Sequence, residues 1–417
     1  MDCSARDVTV VIPIGGMARR LMPLTAETSK AMVRLATVPM LEIAMLGLAR
    51  QGVRCFLLGV KGYRNFRDLF DYFQEGYGFS SKYRIRPRVH VRYEPNEEDM
   101  GSADSARITL NYYDVSGPSL VFQGDNLFDL DLPDLLRFHS ERKAVATICL
   151  KRVENVEGYG VVQVDEEMRI TSFQEKPQSA ETSSNLINTG LYLLSPEARA
   201  ILNEMASRRR ETGRMDFGYD FFPHLLQSGH AVYGYTLEGA WFDVGTPSRY
   251  LETLSAVLSG RLAYFSEFHA RIVPGKRIWV RGRSPESVAG RRRIARMMRM
   301  GRIVLEEPVL IGRHCRISDG VRVKNSCVDN YTIIGEGASI EDSAVMDRAR
   351  IGPYAKVEGS IIGRHVAVGS TRERPTEISG LSVVADDVVI EPGCILRDAK
   401  VYPHMRLEEG LYTGEVR

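Results

Sequence analysis

From Val309 to Val368 the chain repeats with a period that few backbone paths can satisfy. Aliphatic residues stand at Ile311, Ile317, Val323, Val328, Ile334, Ile340, Val345, Ile351, Val357, Ile362 and Val368. Their spacing is six, six, five, three times over, then six, so the full period is 17 residues. Six residues advance an α-helix by far from a whole number of turns, so a helix would scatter these side chains around its circumference. A three-sided coil of short strands turns each of them inward, every coil stacking on the last. The register breaks at 370–380, because Ile362 to Val384 is 22 residues, one coil plus five. Val384, Ile390, Leu396 and Val401 resume it. Like stacks on like in such a coil, so His314, Tyr331, Arg348 and His365 are expected along one corner. The preceding column is Arg313, Asn330, Asp347 and Arg364, where Asp347 is expected to pair with an arginine neighbour.

The first 260 residues read differently. Apolar strand patterns at 8–14, 54–60, 88–93, 119–123 and 145–151 alternate with amphipathic stretches at 38–51, 63–75, 101–112 and 131–143. That alternation predicts a mainly parallel sheet covered on both faces, a Rossmann-like α/β layout. Strand patterns dominate 160–194, and helical ones return at 195–207, 217–228 and 247–259. Between 261 and 305 eight arginines fall from Arg281 to Arg302, with Ile294, Met297 and Met298 at helical spacing. The simpler reading is a bridging helix that buries its Ile/Met face and solvates its arginines, the other an anion or nucleic-acid patch. The expected domains are 1–260, an arginine-rich linker at 261–305, and the coil at 306–417.

Val8 to Ile14 is a β-branched run that ends in Gly15-Gly16, followed by Arg19-Arg20-Leu21-Met22-Pro23-Leu24-Thr25 and then Ser29-Lys30-Ala31. Two glycines let backbone N–H groups approach a phosphate, and Arg20 and Lys30 add fixed positive charge. The loop has neither the Gly-Lys-Ser/Thr ending of a P-loop nor the Gly-x-Gly-x-x-Gly spacing of a dinucleotide fold. Asp125 ends a strand pattern in Gln123-Gly124-Asp125-Asn126, and Asp243 in Trp241-Phe242-Asp243-Val244-Gly245 is a second candidate. Strand C-termini are where α/β sheets bind ligands, and Mg²⁺ favours one or two carboxylates plus substrate phosphates. Otherwise these aspartates shape turns.

Taken in order, these segments resemble the sugar-1-phosphate nucleotidylyltransferases, also called NDP-sugar pyrophosphorylases. The 309–401 repeat resembles the left-handed parallel β-helix of hexapeptide-repeat proteins. The first resemblance implies transfer of a nucleotidyl group from an NTP to a sugar 1-phosphate, with mannose 1-phosphate or glucose 1-phosphate the expected acceptor and Mg²⁺ the cofactor. It implies that Gly15, Gly16, Arg20 and Lys30 meet the triphosphate and that Asp125 and Asp243 hold the metal. Glu175 and Lys176, in Glu-Lys-Pro, take the sugar phosphate together with Tyr159, Gly160, Asn188 and Thr189. Gly101 and Ser102 open a helix near the base, and Glu94 stands where relatives often carry a base-reading Gln. The chain departs from the pattern at Ala18, which replaces a third glycine, at Arg19, and at Ser29 and Ala31, which replace prolines. A positive φ at Ala18 would be strained.

Composition limits the alternatives. Lys and Arg number 55 and Asp and Glu 53, so a net charge of +2 gives no general case for nucleic acid or a membrane surface. Six scattered cysteines without Cys-x-x-Cys fit a reduced, cytoplasmic protein better than a zinc site. Two other functions share much of the pattern. One is a non-catalytic homologue that only binds NDP-sugar. The other is a bifunctional enzyme whose coil also acylates an amino sugar through His314 or His365. The expected role of the coil is assembly of a homo-oligomer, with some nucleotidyl transfer surviving truncation after about residue 260.

Overall fold

The computed structural model describes residues 4–16, 18–177, 184–208, 213–262 and 269–417. They form two compact units, one of Met1–Gly16 with Leu41–Asp243, the other of Met17–Met40 with Val244–Arg417. The segment after the glycine pair thus packs in the unit built on the coil, a grouping that limits drawn along the chain at 260 and 306 do not express.

The first unit is built on a sheet whose inner strands are apolar on both faces. Val10, Val11 and Ile12 are fully buried within Thr9–Ile14, as a parallel strand covered by helices on both sides requires. Thr9–Ile14 pairs in parallel with Cys55–Val60 and with Ser119–Phe122, and Cys55–Val60 pairs with His90–Pro95 at the sheet edge. The strand-rich stretch enters antiparallel, Leu186–Leu194 against Ser119–Phe122. Helices Met40–Arg50, Tyr63–Phe73, Ser102–Tyr112, Leu132–Glu141 and Pro196–Arg208 lie where the amphipathic patterns placed them. Two elements differ from expectation. A short helix, Tyr77–Tyr83, burying Phe79, Ser80 and Tyr83, has a glycine and two serines that hide its period. The 217–228 helix is split into a π turn, Phe217–Phe221, and a helix, Phe222–Gln227. Pro223 has no N–H to bond back four residues, so an α-helix cannot run through it from Phe217.

The second unit confirms the coil. Ile317, Ile334, Ile351 and Val368 pair in parallel one above the next, and Ile390 and Leu407 continue the column. Across the 370–380 break Val357 pairs with Ile378 and Ile362 with Val384, so four of the extra residues are absorbed between Val368 and Ile378 and the fifth before Val384. The inward aliphatics form one buried cluster, which Ile294 and Met297 join from the linker helix Pro285–Arg299. The Ser284 hydroxyl caps that helix by accepting from the Ser287 amide at 3.2 Å. The helix thus buries its Ile/Met face as the simpler reading expects, and Arg292, Arg293, Arg296 and Arg299 are exposed. The His/Tyr/Arg column stacks at its start, with His314 and Tyr331 rings 5.0 Å apart and the Arg348 guanidinium 5.9 Å from the Tyr331 ring. In the preceding column Arg364 pairs with Asp386 of the next coil, and Asp347 lies 3.3 Å from an arginine of the early segment, Arg34.

Ala18 adopts φ 43°, ψ 43°, the left-handed region, and caps the 3₁₀ turn Arg19–Leu21. A Cβ there costs about 1–2 kcal/mol, offset in part by the greater unfolded-state freedom of glycine. Ala18→Gly should therefore stabilise the chain by roughly 0.5–1 kcal/mol, seen as a higher urea midpoint. A lower midpoint would show that the strain is absent.

Candidate active site

Two short strands that lie far apart in the chain set the centre of the α/β unit. Asn126–Phe128 pairs antiparallel with Trp241–Asp243, and Asp243 stands opposite Asn126. Asp125 precedes that pair by one residue, and both aspartates are half-buried. The Thr189 carbonyl fixes this hairpin by accepting from Trp241 Nε1 at 3.1 Å and Asn126 Nδ2 at 2.8 Å. The Thr189 hydroxyl is buried and donates to the Cys149 carbonyl at 2.7 Å, so its side chain is committed to the fold. Asn188 is also partly engaged, with Nδ2 donating to the Tyr192 hydroxyl and Oδ1 accepting from the Gly190 amide, at 3.0 and 2.9 Å.

A carboxylate cradle adjoins the hairpin through Tyr159, whose ring meets Trp241 edge-on at 5.6 Å and whose carbonyl accepts from the Lys176 amide at 3.1 Å. Glu175 pairs with Gly160 across two antiparallel strands. A Cβ on Gly160 would lie 2.7 Å from Glu175 Oε2, and one on Gly218 only 2.2 Å from it. Both positions must therefore be glycine for the carboxylate to sit where it does. Burial raises the Glu175 pKa, with nearby Asp216 adding to it, and the Lys176 ammonium, 3.6 Å away, pulls the other way. Lys176 is exposed, has φ 50°, and reaches toward the Tyr219 ring at 5.8 Å.

The helix that begins at Ser102 is closed by protein groups. Asp216 Oδ1 accepts from the Ser102 amide and hydroxyl, both at 3.0 Å, and the Met215 carbonyl accepts from the Ala103 and Asp104 amides. Gly101, at φ 138°, leaves room for this, since a Cβ would stand 2.7 Å from Asp216. Asp216 and Gly218 escaped the sequence reading because 215–219 was read within or beside a helix. The signal present was a glycine set between Asp216 and Asp220 in an aromatic run.

Of the phosphate-loop residues, Gly15 and Gly16 belong to this unit and are exposed. Gly16 has φ 88° with open space where a Cβ would stand, while a Cβ on Gly15 would touch Lys61 at 3.2 Å. Lys61 follows strand Cys55–Val60 and is paired with Asp99 at 3.0 Å. It is a cation beside the loop that the sequence reading passed over, though strand ends mark it. Arg20, exposed, and Lys30, half-buried in the 3₁₀ turn Lys30–Met32, belong to the other unit.

Glu94 lies on the edge strand opposite Gly59 and is buried, with Oε2 lacking a hydrogen-bond partner. Burial, and then Asp99, raise its pKa. For metal, no three His, Cys, Asp or Glu side chains cluster among the described residues. The Asp125–Asp243 pair suits an ion that takes its remaining ligands from phosphates and water, as Mg²⁺ does. The five described cysteines are free thiols, and no described helix is long and apolar enough to cross a membrane.

With this geometry in view, the comparisons agree. The nucleotidyl transferase family model matches residues 9–260, and the model of the GMPPB C-terminal domain matches 306–416. The chain belongs to the nucleotidyl transferase family, in the branch whose members act on sugar 1-phosphates. A UTP–glucose-1-phosphate uridylyltransferase from Synechocystis is 29% identical, covering 75% of this chain and 76% of its own. A mannose-1-phosphate guanyltransferase from Pichia angusta is 26% identical over 97% of this chain and 99% of its own. A solved Bacillus anthracis protein, provisionally described as a glucose-1-phosphate thymidylyltransferase, shares the fold. It has a TM-score of 0.51 at 23% identity, over 60% of this chain and 94% of that one.

The raised pKa of Glu94 has a thermodynamic sign. A carboxyl whose folded pKa exceeds its unfolded value contributes stability while protonated, and that contribution is lost as pH rises through the folded pKa. Glu94→Gln removes the loss. As pH rises from the ordinary glutamate range through the raised folded pKa, the melting temperature of the variant should therefore gain on the parent. A constant difference would show that Glu94 ionises as freely folded as unfolded.

Proposed function

We propose that this chain catalyses NTP + sugar 1-phosphate → NDP-sugar + pyrophosphate, with mannose 1-phosphate or glucose 1-phosphate as acceptor and Mg²⁺ as the metal. The observation that supports this reading is the pairing of strands 126–128 and 241–243, in which Asp243 stands opposite Asn126, the chain neighbour of Asp125. The glycine-cradled Glu175 and its neighbour Lys176 join that hairpin through Tyr159.

The reaction needs no enzyme nucleophile. A phosphate oxygen of the sugar 1-phosphate attacks the α-phosphorus, a new P–O bond forms, and the bond to pyrophosphate breaks. Positioning and charge neutralisation supply the acceleration. Asp125 and Asp243 would hold Mg²⁺, which would offset the charge of the phosphates. Lys176 meets the sugar phosphate, and Glu175 accepts from sugar hydroxyls. Gly15 and Gly16 offer backbone N–H groups to the triphosphate, with Arg20 and Lys30 as its cations. Gly101 lets the backbone near the base, while the Ser102 donors go to Asp216. Glu94 supports a guanine preference, because its unpartnered Oε2 can accept where guanine presents N1–H and N2–H₂. The coil serves assembly of a homo-oligomer.

Pyrophosphate release across GTP, ATP, UTP, CTP and dTTP with several sugar 1-phosphates tests the reaction. No release with any pair would favour a non-catalytic NDP-sugar-binding protein. Acetyl-CoA-dependent acetylation of glucosamine 1-phosphate, lost in His365→Ala, would favour the bifunctional enzyme. Asp125→Asn and Asp243→Asn should each lower turnover at least about 10²-fold at saturating Mg²⁺ with folding little changed. Near-normal turnover would remove that residue from the metal site. Lys176→Met and Gly218→Ala, which pushes the Glu175 carboxylate from its cradle, should raise the sugar-phosphate KM at least about tenfold. NTP Kd should change much less in both, and a dominant loss of NTP binding would exchange the two phosphate sites.

A further inference from the structure

The segment Met17–Met40 belongs to the same compact unit as the coil, and four of its residues are tied to coil or linker side chains. Arg34 donates from Nε to Asp329 Oδ2 at 2.6 Å and from Nη2 to Asp329 Oδ1 at 3.0 Å. The same Nη2 bonds the Thr37 carbonyl at 2.5 Å. Asp347, on the next coil, stands 3.3 Å from Arg34 Nε. The Arg34 carbonyl accepts from the hydroxyl of the buried Tyr250 at 2.6 Å. Arg281 Nη1 donates to the Thr37 hydroxyl at 2.6 Å, Arg364 Nη2 to the Thr28 hydroxyl at 3.5 Å, and His404 Nε2 lies 3.1 Å from Glu27.

Asp329 is 2% exposed at the corner after Val328, in a column whose other members, Gly312, Met346, Gly363, Ala385 and Tyr402, carry no charge. Its carboxylate takes its bonds from Arg34 and from the neighbouring Asn330 amide. A coil built for stacking alone has no need of a buried carboxylate, and one left without its guanidinium would be strongly unfavourable. The aspartate and the arginine therefore make sense as a pair, and the pair fixes the early segment to the coil. The anchors bracket Lys30. Glu27 and Thr28 hold the chain just before it, and Arg34 and Thr37 just after, so the turn Lys30–Met32 hangs between fixed ends. Arg20 lies outside the bracket.

We propose that Arg34, through Asp329 and Asp347, is a positioning residue for nucleotide binding, so that the coil sets the geometry in which Lys30 meets the triphosphate. The inference rests on the reading of Lys30 given above. It also argues that truncation after residue 260 strips NTP binding rather than merely altering oligomeric mass.

The test uses the full chain and separates positioning from stability. Arg34→Met alone leaves a buried charge unpaired, so the informative variant is Arg34→Met with Asp329→Asn, compared with Arg34→Lys, Lys30→Met and the parent. The readouts are amide hydrogen exchange over 27–37 without ligand, Kd by calorimetry for each of GTP, ATP, UTP and dTTP with Mg²⁺, sugar-phosphate KM, and melting temperature. In the double variant, exchange over 27–37 should speed up and the Kd of the tightest NTP should weaken at least about tenfold. Sugar-phosphate KM should stay within about twofold, the melting temperature should remain near that of the parent, and Arg34→Lys should recover part of the affinity. Parental exchange and parental NTP affinity in the double variant, with weakened affinity in Lys30→Met, would overturn the proposal. Unchanged NTP affinity in Lys30→Met would overturn the reading beneath it, and exchange over 27–37 would still report whether the clamp exists.

Discussion

The pairing of Asn126–Phe128 with Trp241–Asp243 is a small piece of sheet on which the placement of the candidate site depends. Its strands are three residues each and could not persist alone, since an isolated hairpin is marginal in water. They are held by the Thr189 carbonyl, which ties Asn126 and Trp241 to the long antiparallel strand Leu186–Leu194. Through Trp241 and Tyr159 the hairpin reaches the Lys176 turn, and through Glu175 the π turn that carries Gly218 and Asp216. Two acids and an acid–base pair from three distant stretches of chain are thus linked through the Thr189 carbonyl and the contacts of Tyr159.

Much of this was legible in the sequence, for reasons that can be named. The 17-residue period admits one backbone path, and Ile317, Ile334, Ile351 and Val368 stack as that path requires. The phosphate-loop strand was visible because burial on both faces demands an unbroken apolar run, and Val10, Val11 and Ile12 supply it. Asp125 was visible because a strand pattern ends ahead of it, and Asp243 only through its place in the resemblance. What stayed hidden depends on contacts between residues remote in sequence. No periodicity shows that Gly160 and Gly218 face the same carboxylate, that Asp216 caps the helix at Ser102, or that Arg34 seeks Asp329, 295 positions on. The Thr189 hydroxyl likewise looks like a ligand group in sequence, yet it faces Cys149 inside the sheet.

Left-handed backbone angles are not confined to the candidate site. Ala18 and Lys176 hold them, and so do Arg84, Asp114 and coil corners such as His314, Tyr331 and His365. Glu94 keeps a buried oxygen without a partner. Other local choices are conventional. Thr246 and Ser284 cap helices that begin with proline, and the linker helix buries Ile294 and Met297 beneath its arginines.

The coil holds its register by strand pairing, turn on turn, and chain length between pairs matters little. Residues 370–380 show it, since a corner between Val368 and Ile378 that takes four extra residues, with one more before Val384, leaves Ile362 over Val384 and Val368 over Ile390 undisturbed. Lengthening a loop further adds only slowly to its closure entropy. That corner is therefore a port in an otherwise rigid shaft, where a peptide or a small domain could be spliced into the chain while the stack above and below kept its order.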